Sequence, residues 1–398
     1  MRVVITGMGM VTSIGSGKEQ FFDRLFEKKI NVTRIDGIRS KSHWYSPFPK
    51  AEVAEEATQL RALKGKAPLN ASAAVVAALQ AVKDAGIDPE ELDRDTAVTV
   101  GCGIANMNEL YGMISPVVQS KRMFPLAITQ VIPNSVAAWI SIILGTHGKA
   151  QTVGTACASG TTAVGDAYRA IKDGYVKTAI AGGSECLAGD EFTSFMGFSA
   201  IDALTKTEDG IPAPFCKERS GFLFSEGASC MLVLEELETA LARGADIYAE
   251  IVDHRECSDA FHIVMMPEEP AEIYREMDSI FSQYKVDYYN AHGTATPMND
   301  RMEAEMLAHF EGKYGQRPTV SSTKGILGHT LGASGAIEAA VCAYSLRNSV
   351  IHGNLLKTKE FGTDLPEATV SRDIKTAVSA SFGFGGHDAM LVMKKYEI

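Results

Sequence analysis

Short segments rich in Val, Ile and Thr alternate along the whole chain with longer segments rich in Ala and Gly. Residues 97–100 and 178–181 are typical of strands, whereas residues 71–85 and 333–346 carry apolar side chains on most faces and predict buried helices. This alternation predicts an α/β architecture whose layers are covered on both sides. No repeat, linker or low-complexity segment is evident, so we expect one integrated unit of two similar halves.

The composition argues against several classes of protein. The chain has 398 residues, is 45% hydrophobic, and carries a net charge of −11 without a run of basic residues. It has enough apolar content for a large core and is a poor general binder of nucleic acid. We also expect no membrane span, because no stretch of about 18 apolar residues occurs. The first apolar run ends at Gly7, which is too early for a signal peptide.

The cysteines and the N-terminal glycines each suggest a site that the sequence then argues against. The 7 cysteines are scattered without a C-x-x-C pair, which predicts reduced thiols in a cytoplasmic protein and no zinc site. Gly7, Gly9 and Gly15 follow a strand predicted at residues 3–6, but a dinucleotide fingerprint would need glycine where Thr12 stands. We interpret these glycines as a turn after the strand.

Cys157 lies between a predicted strand at 152–155 and a predicted small-residue helix at 160–173. At a helix N-terminus, free N–H groups and the helix dipole favour a thiolate and lower the pKa of the cysteine. The same N–H groups can hold a developing oxyanion. The alternative is a buried structural cysteine, which is how we interpret the other six.

A histidine, His292, follows a predicted strand at 287–290 and precedes Gly293, Thr294 and Thr296. Loops at strand ends are where α/β proteins place catalytic groups. The two threonine hydroxyls are suited to hydrogen-bonding a polar linker such as pantetheine. A turn or capping histidine is the alternative interpretation.

The segment 321–335 contains Lys324 and His329, separated by glycines and leading into another small-residue helix, with Glu338 one turn further on. A lysine that loses part of its solvent can act as a fixed positive charge. A phosphate-cradling loop or a solvated lysine is the alternative, although the G-K-[ST] order of a Walker loop is absent because Gly325 follows the lysine.

One cysteine and two histidines in glycine-lined turns suit thioester chemistry. The cysteine would be acylated, and the histidines would donate hydrogen bonds to a second thioester as it becomes an enolate. A Cys–His hydrolase is also consistent with these residue types, although it needs fewer groups.

With these segments in view, the chain resembles the β-ketoacyl-acyl carrier protein synthases of the thiolase fold, in the elongating subgroup with a Cys-His-His triad. The likeness covers nearly the whole chain. It rests on residues 4–9, 155–160, 181–185, 214–215, 219, 221–222, 226–228, 381–386 and the two histidine segments. The resemblance implies a five-layered αβαβα fold, with an N-terminal half at 1–240 that carries the nucleophile and a C-terminal half at 241–398 that carries the histidines.

The resemblance also implies catalytic roles. Cys157 would take an acyl chain from a carrier protein, and His292 and His329 would stabilise the enolate left when a malonyl thioester loses CO₂. The N–H groups of Cys157 and Phe384 would form the oxyanion hole. Phe384 matches the family's gating phenylalanine, and Gly385 follows it in the same substrate-binding loop.

Further residues receive supporting roles from the same resemblance. Lys324 and Glu338 match the polar pair near the second histidine. Thr294 and Thr296 match the threonines that contact pantetheine. Ile104 lies where an acyl-pocket gate is expected.

The sequence departs from the family pattern in several places. His387 and Asp388 stand where Thr-Asn is usual, in the gating loop, and Cys216 and Ser220 replace acidic residues. Residues 105–106 replace a glycine pair. These changes favour a specialised polyketide or polyene synthase over a housekeeping fatty acid enzyme.

The resemblance implies an acyl carrier protein as partner and no cofactor beyond its phosphopantetheine. Arg61, Lys64 and Lys66 fall where the family docks its carrier, although a solvated charged loop explains them equally well. The family forms dimers, and the sequence leaves a homodimer and a heterodimer with a chain-length factor open. A non-catalytic partner subunit and a malonyl decarboxylase or hydrolase on the same fold are the alternative functions.

Overall fold

The first 242 residues contain the strands that form one half of the central sheet. The computed structural model describes residues 1–60, 62–119, 121–189 and 192–397. The strands of this part are β1 (Val3–Thr12), β2 (Gly15–Ser16), β3 (Thr33–Arg34), β4 (Trp44–Ser46), β5 (Ala97–Gly101), β6 (Ala150–Val153), β7 (Thr178–Cys186), β8 (Phe224–Ser225) and β9 (Gly227–Glu236). The helices are α1 (Lys18–Phe26), α2 (Lys50–Gln59), α3 (Leu69–Asp84), α4 (Met107–Val118), α5 (Ala127–Val131), α6 (Ser135–Leu144), α7 (Ser159–Lys172), α8 (Thr193–Ala200) and α9 (Leu237–Ala242).

The later elements supply the other half of the sheet. The strands are β10 (Ala249–Ser258), β11 (Tyr288–Asn290), β12 (Thr319–Ser321), β13 (Val350–Ile351), β14 (Val370–Ser371), β15 (Thr376–Gly383) and β16 (His387–Lys394). The helices are α10 (Ala271–Gln283), α11 (Pro297–Tyr314), α12 (Lys324–Leu327) and α13 (Ser334–Asn348). Short 3₁₀ turns lie at Pro89–Glu91, Ala156–Ala158 and Leu331–Ala333.

The main sheet is mixed, and its two halves repeat one topology. Its strands lie in the order β6-β5-β7-β9-β1-β10-β16-β15-β11-β12, and β2 pairs with β1. In this order each half has five strands, which can be numbered 1 to 5 in the order in which they occur in the chain. From the outer edge of the sheet inward, the strands of both halves then have the order 3-2-4-5-1. The halves join where β1 and β10 pair antiparallel. The α/β prediction with two similar halves is therefore confirmed.

Helices form three layers around these strands. The two central helices, α7 and α13, pack against each other and against strands of both halves, so they lie between the half-sheets. On the outer face of the first half, α3 covers β1, β9 and β7. Apolar side chains of α10 and α11 pack on the outer face of the second half. This is the five-layered αβαβα arrangement of the thiolase fold, and α13 is buried along nearly its whole length as expected.

The N-terminal glycines lie inside a strand, so the prediction of a glycine-rich turn there is wrong. β1 continues to Thr12, and Gly7 and Gly9 face α3. A Cβ on Gly7 would lie 2.2 Å from the carbonyl oxygen of Ala81, and a Cβ on Gly9 would lie 2.2 Å from that of Ala77. The glycines are needed because the helix backbone lies directly on the strand.

The two central turns carry a short repeat that the sequence analysis failed to recognise. Residues 155–160 and 330–335 share the pattern T-x-x-A-S-G, and each turn leads into a central helix. The second residue of each turn has a left-handed backbone, with φ of 49° at Ala156 and 50° at Leu331. The repeat places Gly332 in the second half at the position that Cys157 occupies in the first.

Candidate active site

A cavity of about 760 Å³ brings the predicted cysteine and both predicted histidines together. It is lined by Cys157, His292 and His329, with Phe384 from the loop after β15. Much of its remaining wall is apolar and includes Phe198, Phe222, Leu331 and Phe382. Reactive groups in an apolar cleft are the usual arrangement of a binding or catalytic site.

The nucleophile candidate, Cys157, lies in the 3₁₀ turn that precedes α7 and is 7% exposed. Burial raises the pKa of its thiol to about 11, although the charge of Lys324 and the N–H groups of Phe384 and Cys157 act in the opposite direction. The expected lowering of this pKa at a helix N-terminus is therefore wrong. Because desolvation outweighs these contacts, the group is a thiol near neutral pH.

His329 is held as a neutral ring with a defined tautomer. The N–H of Leu331 donates to Nδ1 at 3.2 Å, and the Ser334 hydroxyl lies 3.1 Å from the same atom. Because a main-chain N–H can only donate, Nδ1 is the acceptor and Nε2 carries the proton. Burial, followed by the charge of Lys324, holds the pKa of His329 well below its usual range.

The second ring, His292, stands nearly perpendicular to that of His329. The ring centres lie 5.5 Å apart, and the planes meet at 84°. Burial lowers the pKa of His292 well below its usual value, and the positive charge of Lys324 acts in the same direction. Two neutral imidazoles in one apolar cavity can donate hydrogen bonds to an oxygen that gains negative charge.

Two buried carboxyl groups, which are not predicted from the sequence, accept hydrogen bonds from main-chain N–H groups of the His292 loop. Glu303 accepts the N–H of His292 at 2.9 Å and of Gly293 at 2.7 Å, and Asp300 accepts that of Ala295 at 3.0 Å. Burial raises the pKa of Asp300 to about 6 and that of Glu303 to about 7. The sequence signal was available, since the two acids lie three apart on one face of α11 directly after the loop.

Lys324 and Glu338 form an ion pair that is shut off from solvent. Both side chains are at most 2% exposed, and the Thr323 hydroxyl donates to the same carboxylate at 3.2 Å. Burial raises the pKa of Glu338, and the lysine acts against this shift. The lysine thus places a fixed positive charge beside the reactive cysteine and histidines.

The loop after β15 closes one side of the cavity. Gly385 has a left-handed φ of 86° and donates its N–H to the carbonyl oxygen of Ile263 at 2.9 Å. Next to it, Asp388 is buried and lines the cavity together with Asp259. Burial and then the negative charge of Asp259 raise the pKa of Asp388 to about 8. His387 is exposed at the start of β16.

Of the other predicted binding residues, only the two threonines line the cavity. Thr294 and Thr296 lie in its wall, and their hydroxyl oxygens are 2.9 Å apart. Ile104 is not part of this wall. It packs instead in an apolar cluster that contains Cys157 and Phe195.

The predicted carrier-docking residues lie after α2. Lys64 and Lys66 are exposed in a turn and are not part of the cavity wall. Arg61 lies outside the described residues. Among the described residues, no helix is long and apolar enough to cross a membrane, and no cluster of three His, Cys, Asp or Glu side chains could hold a metal ion.

Comparison with known proteins places this geometry in a family. Residues 1–240 match the model of the beta-ketoacyl synthase N-terminal domain, and residues 248–356 match that of the C-terminal domain. A curated relative, the 3-oxoacyl-[acyl-carrier-protein] synthase 2 of Staphylococcus aureus, is 36% identical over 100% of this chain and 99% of its own length.

Two solved structures share the whole architecture. One is a type II polyketide ketosynthase bound to a hexaketide, in complex with its acyl-carrier protein, with a TM-score of 0.88 at 26% identity. The other is the ishigamide ketosynthase/chain length factor, with a TM-score of 0.88 at 27% identity. Each covers 100% of this chain and is itself covered to 99%.

Proposed function

Because the chain belongs to the β-ketoacyl synthase family, we propose that it condenses an acyl group held on Cys157 with a malonyl unit carried by an acyl carrier protein. The enzyme is an acyltransferase that elongates its chain with loss of CO₂. The observation that carries the proposal is the meeting of a buried thiol with two neutral imidazoles in one apolar cavity. This set of groups supplies both a nucleophile and donors for an enolate oxygen.

The first half-reaction forms a thioester on Cys157. Its sulfur attacks the acyl carbonyl carbon, the thiol proton leaves, and the carrier's pantetheine departs as the free thiol. The N–H groups of Cys157 and Phe384 already point at the sulfur, so they are placed to hold the carbonyl oxygen of the bound acyl group.

In the second half-reaction, a malonyl thioester lies against the histidines. Breaking its bond to the carboxylate releases CO₂ and leaves the electron pair on an enolate, whose oxygen accepts a hydrogen bond from the Nε2–H of His329. His292 supports the same oxygen from the perpendicular ring. The enolate carbon then attacks the acyl carbon on Cys157 and forms the new carbon–carbon bond. The Cys157 sulfur leaves as a thiolate and takes up a proton from solvent to become a thiol again.

The partners follow from the reaction. The carrier protein delivers both substrates through its pantetheine arm, for which Thr294 and Thr296 offer hydroxyl groups at the cavity wall. Lys64 and Lys66 remain the proposed docking residues for the acidic carrier, and the division of the halves at residue 240 remains a proposal. We place the enzyme in the cytoplasm, as a homodimer or as a heterodimer with a chain-length factor.

A specialised pathway is favoured over fatty acid synthesis by the acidic residue at 388. Asp388 lies at the start of β16, directly after the loop that closes one side of the cavity, and it is buried and lines that cavity. A non-catalytic partner subunit is disfavoured, because Cys157, His292 and His329 are all retained. A malonyl decarboxylase would share the histidine geometry and would leave the cysteine free.

Mass spectrometry of the intact protein separates these functions. After incubation with a series of acyl-carrier proteins, we expect an acyl adduct on Cys157 that is absent in Cys157→Ala. Addition of malonyl-carrier protein should discharge the adduct and yield a β-ketoacyl product. Decarboxylation without an adduct would favour the decarboxylase, and an adduct that persists in Cys157→Ala would refute the mechanism.

A further inference from the structure

A buried carboxylate, Glu185, lies near the nucleophile and has no role in the mechanism above. It is at the end of β7, fully buried, and its charge acts on the Cys157 sulfur. Within the described part of the chain, the hydrogen bonds to its two carboxylate oxygens all come from main-chain N–H groups. Oε1 accepts from Ala105 at 2.7 Å, and Oε2 accepts from Gly103 at 2.7 Å and from Gly332 at 3.2 Å. The N–H of Ile104 reaches both oxygens, at 3.2 and 3.1 Å.

These contacts join the two halves at the active site. Residues 103–105 follow β5 in the first half, whereas Gly332 occupies in the second half the position that Cys157 has in the first. The three elements fit without spare room, because a Cβ on Gly103 would lie 2.8 Å from Oε2 of Glu185 and a Cβ on Gly332 would lie 2.4 Å from the N of Gly103. One carboxylate therefore joins the segment that carries Ile104 to Gly332, the counterpart of Cys157. The same segment lies against the cysteine turn, because a Cβ on Gly103 would also lie 3.3 Å from the carbonyl oxygen of Ala156.

The held segment is strained, so it needs this anchor. Ala105 has a left-handed φ of 66°, a conformation that a residue with a Cβ adopts only when its surroundings impose it. Its N–H makes one of the two shortest bonds to Glu185, at 2.7 Å. Loss of the carboxylate would let this backbone relax and would move the neighbouring Ile104.

Ile104 is where such a movement would affect the substrate. It lies in the apolar cluster that contains Cys157, and it is not part of the wall of the main cavity. A chain bound to the sulfur needs apolar surface, and short and long chains use different amounts of it. We propose that Glu185 is a positioning residue that sets acyl-chain selectivity by fixing residues 103–105 against the Cys157 turn, an inference that rests on the proposed acylation of Cys157.

The test measures acylation and decarboxylation separately. Rate constants for acylation of Cys157 are measured with butyryl, octanoyl, dodecanoyl and hexadecanoyl thioesters of coenzyme A, and decarboxylation is measured with malonyl-CoA alone. In Glu185→Gln, one oxygen becomes an amide NH₂ group, which cannot accept a main-chain N–H in either of the two positions. We expect the spread of acylation rates among donors to shrink roughly tenfold or more, as for a positioning contact displaced by a fraction of an ångström. Decarboxylation should change less than about threefold, since the histidine contacts are intact.

Two further variants keep the test decisive. Gly103→Ala pushes the same segment away from an unchanged carboxylate, so it should flatten the donor profile even if Glu185→Gln fails to fold. The matched control is Glu235→Gln, a buried carboxylate that binds Thr6 and Arg243 away from the cavity and should leave the profile unchanged.

Three results would overturn the inference. The profile of Glu185→Gln or Gly103→Ala could keep the wild-type shape, decarboxylation could fall in parallel with acylation, or the wild-type profile could itself be flat. If no thioester acylates the wild-type protein, the proposed function fails instead, and that outcome is distinct from all three.

Discussion

Replacing Lys324 by methionine tests whether the buried charge pair serves stability, catalysis or both. The substitution leaves Glu338 as an unpaired carboxylate that is 0% exposed. Removing one partner of a buried pair costs about 3–5 kcal/mol. With an unfolding entropy of about 2.1 cal/mol/K per residue over 398 residues, that cost corresponds to a fall in Tm of about 4–6 °C.

The double variant Lys324→Met/Glu338→Leu separates charge from packing. Because it removes both charges, it should recover most of the lost Tm in differential scanning calorimetry. Its activity should stay low, since the lysine charge lowers the pKa of Cys157, His292 and His329. Without that charge all three pKa values rise, and the acid limb of the pH profile for malonyl decarboxylation should move to higher pH.

The ion pair of Arg243 and Glu235 provides a matched control for the Lys324 pair, because its carboxylate is buried and its arginine is partly exposed. Arg243→Met should lower the Tm and leave the pH profile of decarboxylation in place. The reasoning is refuted if the double variant of the Lys324 pair is as unstable as Lys324→Met alone, because packing would then explain the loss. It is equally refuted if Lys324→Met decarboxylates malonyl thioesters with the wild-type pH profile.

Three other perturbations have defined outcomes. Asp388→Asn should flatten the pH dependence of stability in urea titrations. The pKa of Asp388 in the folded protein is raised to about 8, so the native state keeps a proton that the unfolded chain loses near pH 4. The free energy of unfolding of the wild type should therefore fall as pH rises between these values. An equal dependence on pH in both proteins would contradict this. Charge reversal of Lys64 and Lys66 should raise KM for carrier-bound substrate at low salt but not at high salt, whereas Lys285→Glu, at another exposed lysine, should not; an unchanged KM would remove the docking assignment. Gly9→Ala should lower the Tm strongly or prevent folding, because its Cβ would meet α3 backbone; a wild-type Tm would show that the helix moves freely.

The sequence predicted helices and strands best where the apolar pattern was continuous. The strand predicted at 97–100 is β5 (Ala97–Gly101), and the helix predicted at 333–346 is α13 (Ser334–Asn348), so the bounds agree to within two residues. No strand is predicted at β10 (Ala249–Ser258), which lies in the middle of the sheet. Its apolar pattern is interrupted by charged residues whose partners, such as Arg2 for Glu250 and Arg169 for Glu256, are brought close only by the tertiary fold.

Glycine produced the clearest error in the fold. Gly7 and Gly9 predict a turn, yet β1 continues through them, and the strand predicted at 178–181 likewise continues as β7 through Gly182 and Gly183. A glycine in isolation indicates backbone freedom and so predicts a turn. In this protein the glycines are needed because another segment of backbone lies in contact with the strand and leaves no room for a side chain. That contact depends on residues that are remote in sequence.

By itself, the sequence determined the α/β class, the family resemblance and the candidate residues that the fold brings into one cavity, because strand and helix periodicity and short motifs are local properties. Only the tertiary structure decided how those residues are tuned. The pKa of Cys157 is raised because burial outweighs the nearby N–H groups and Lys324, and the tautomer of His329 follows from one N–H, that of Leu331. Desolvation and hydrogen-bond geometry depend on every group packed around an atom, and no motif of a few residues contains that information.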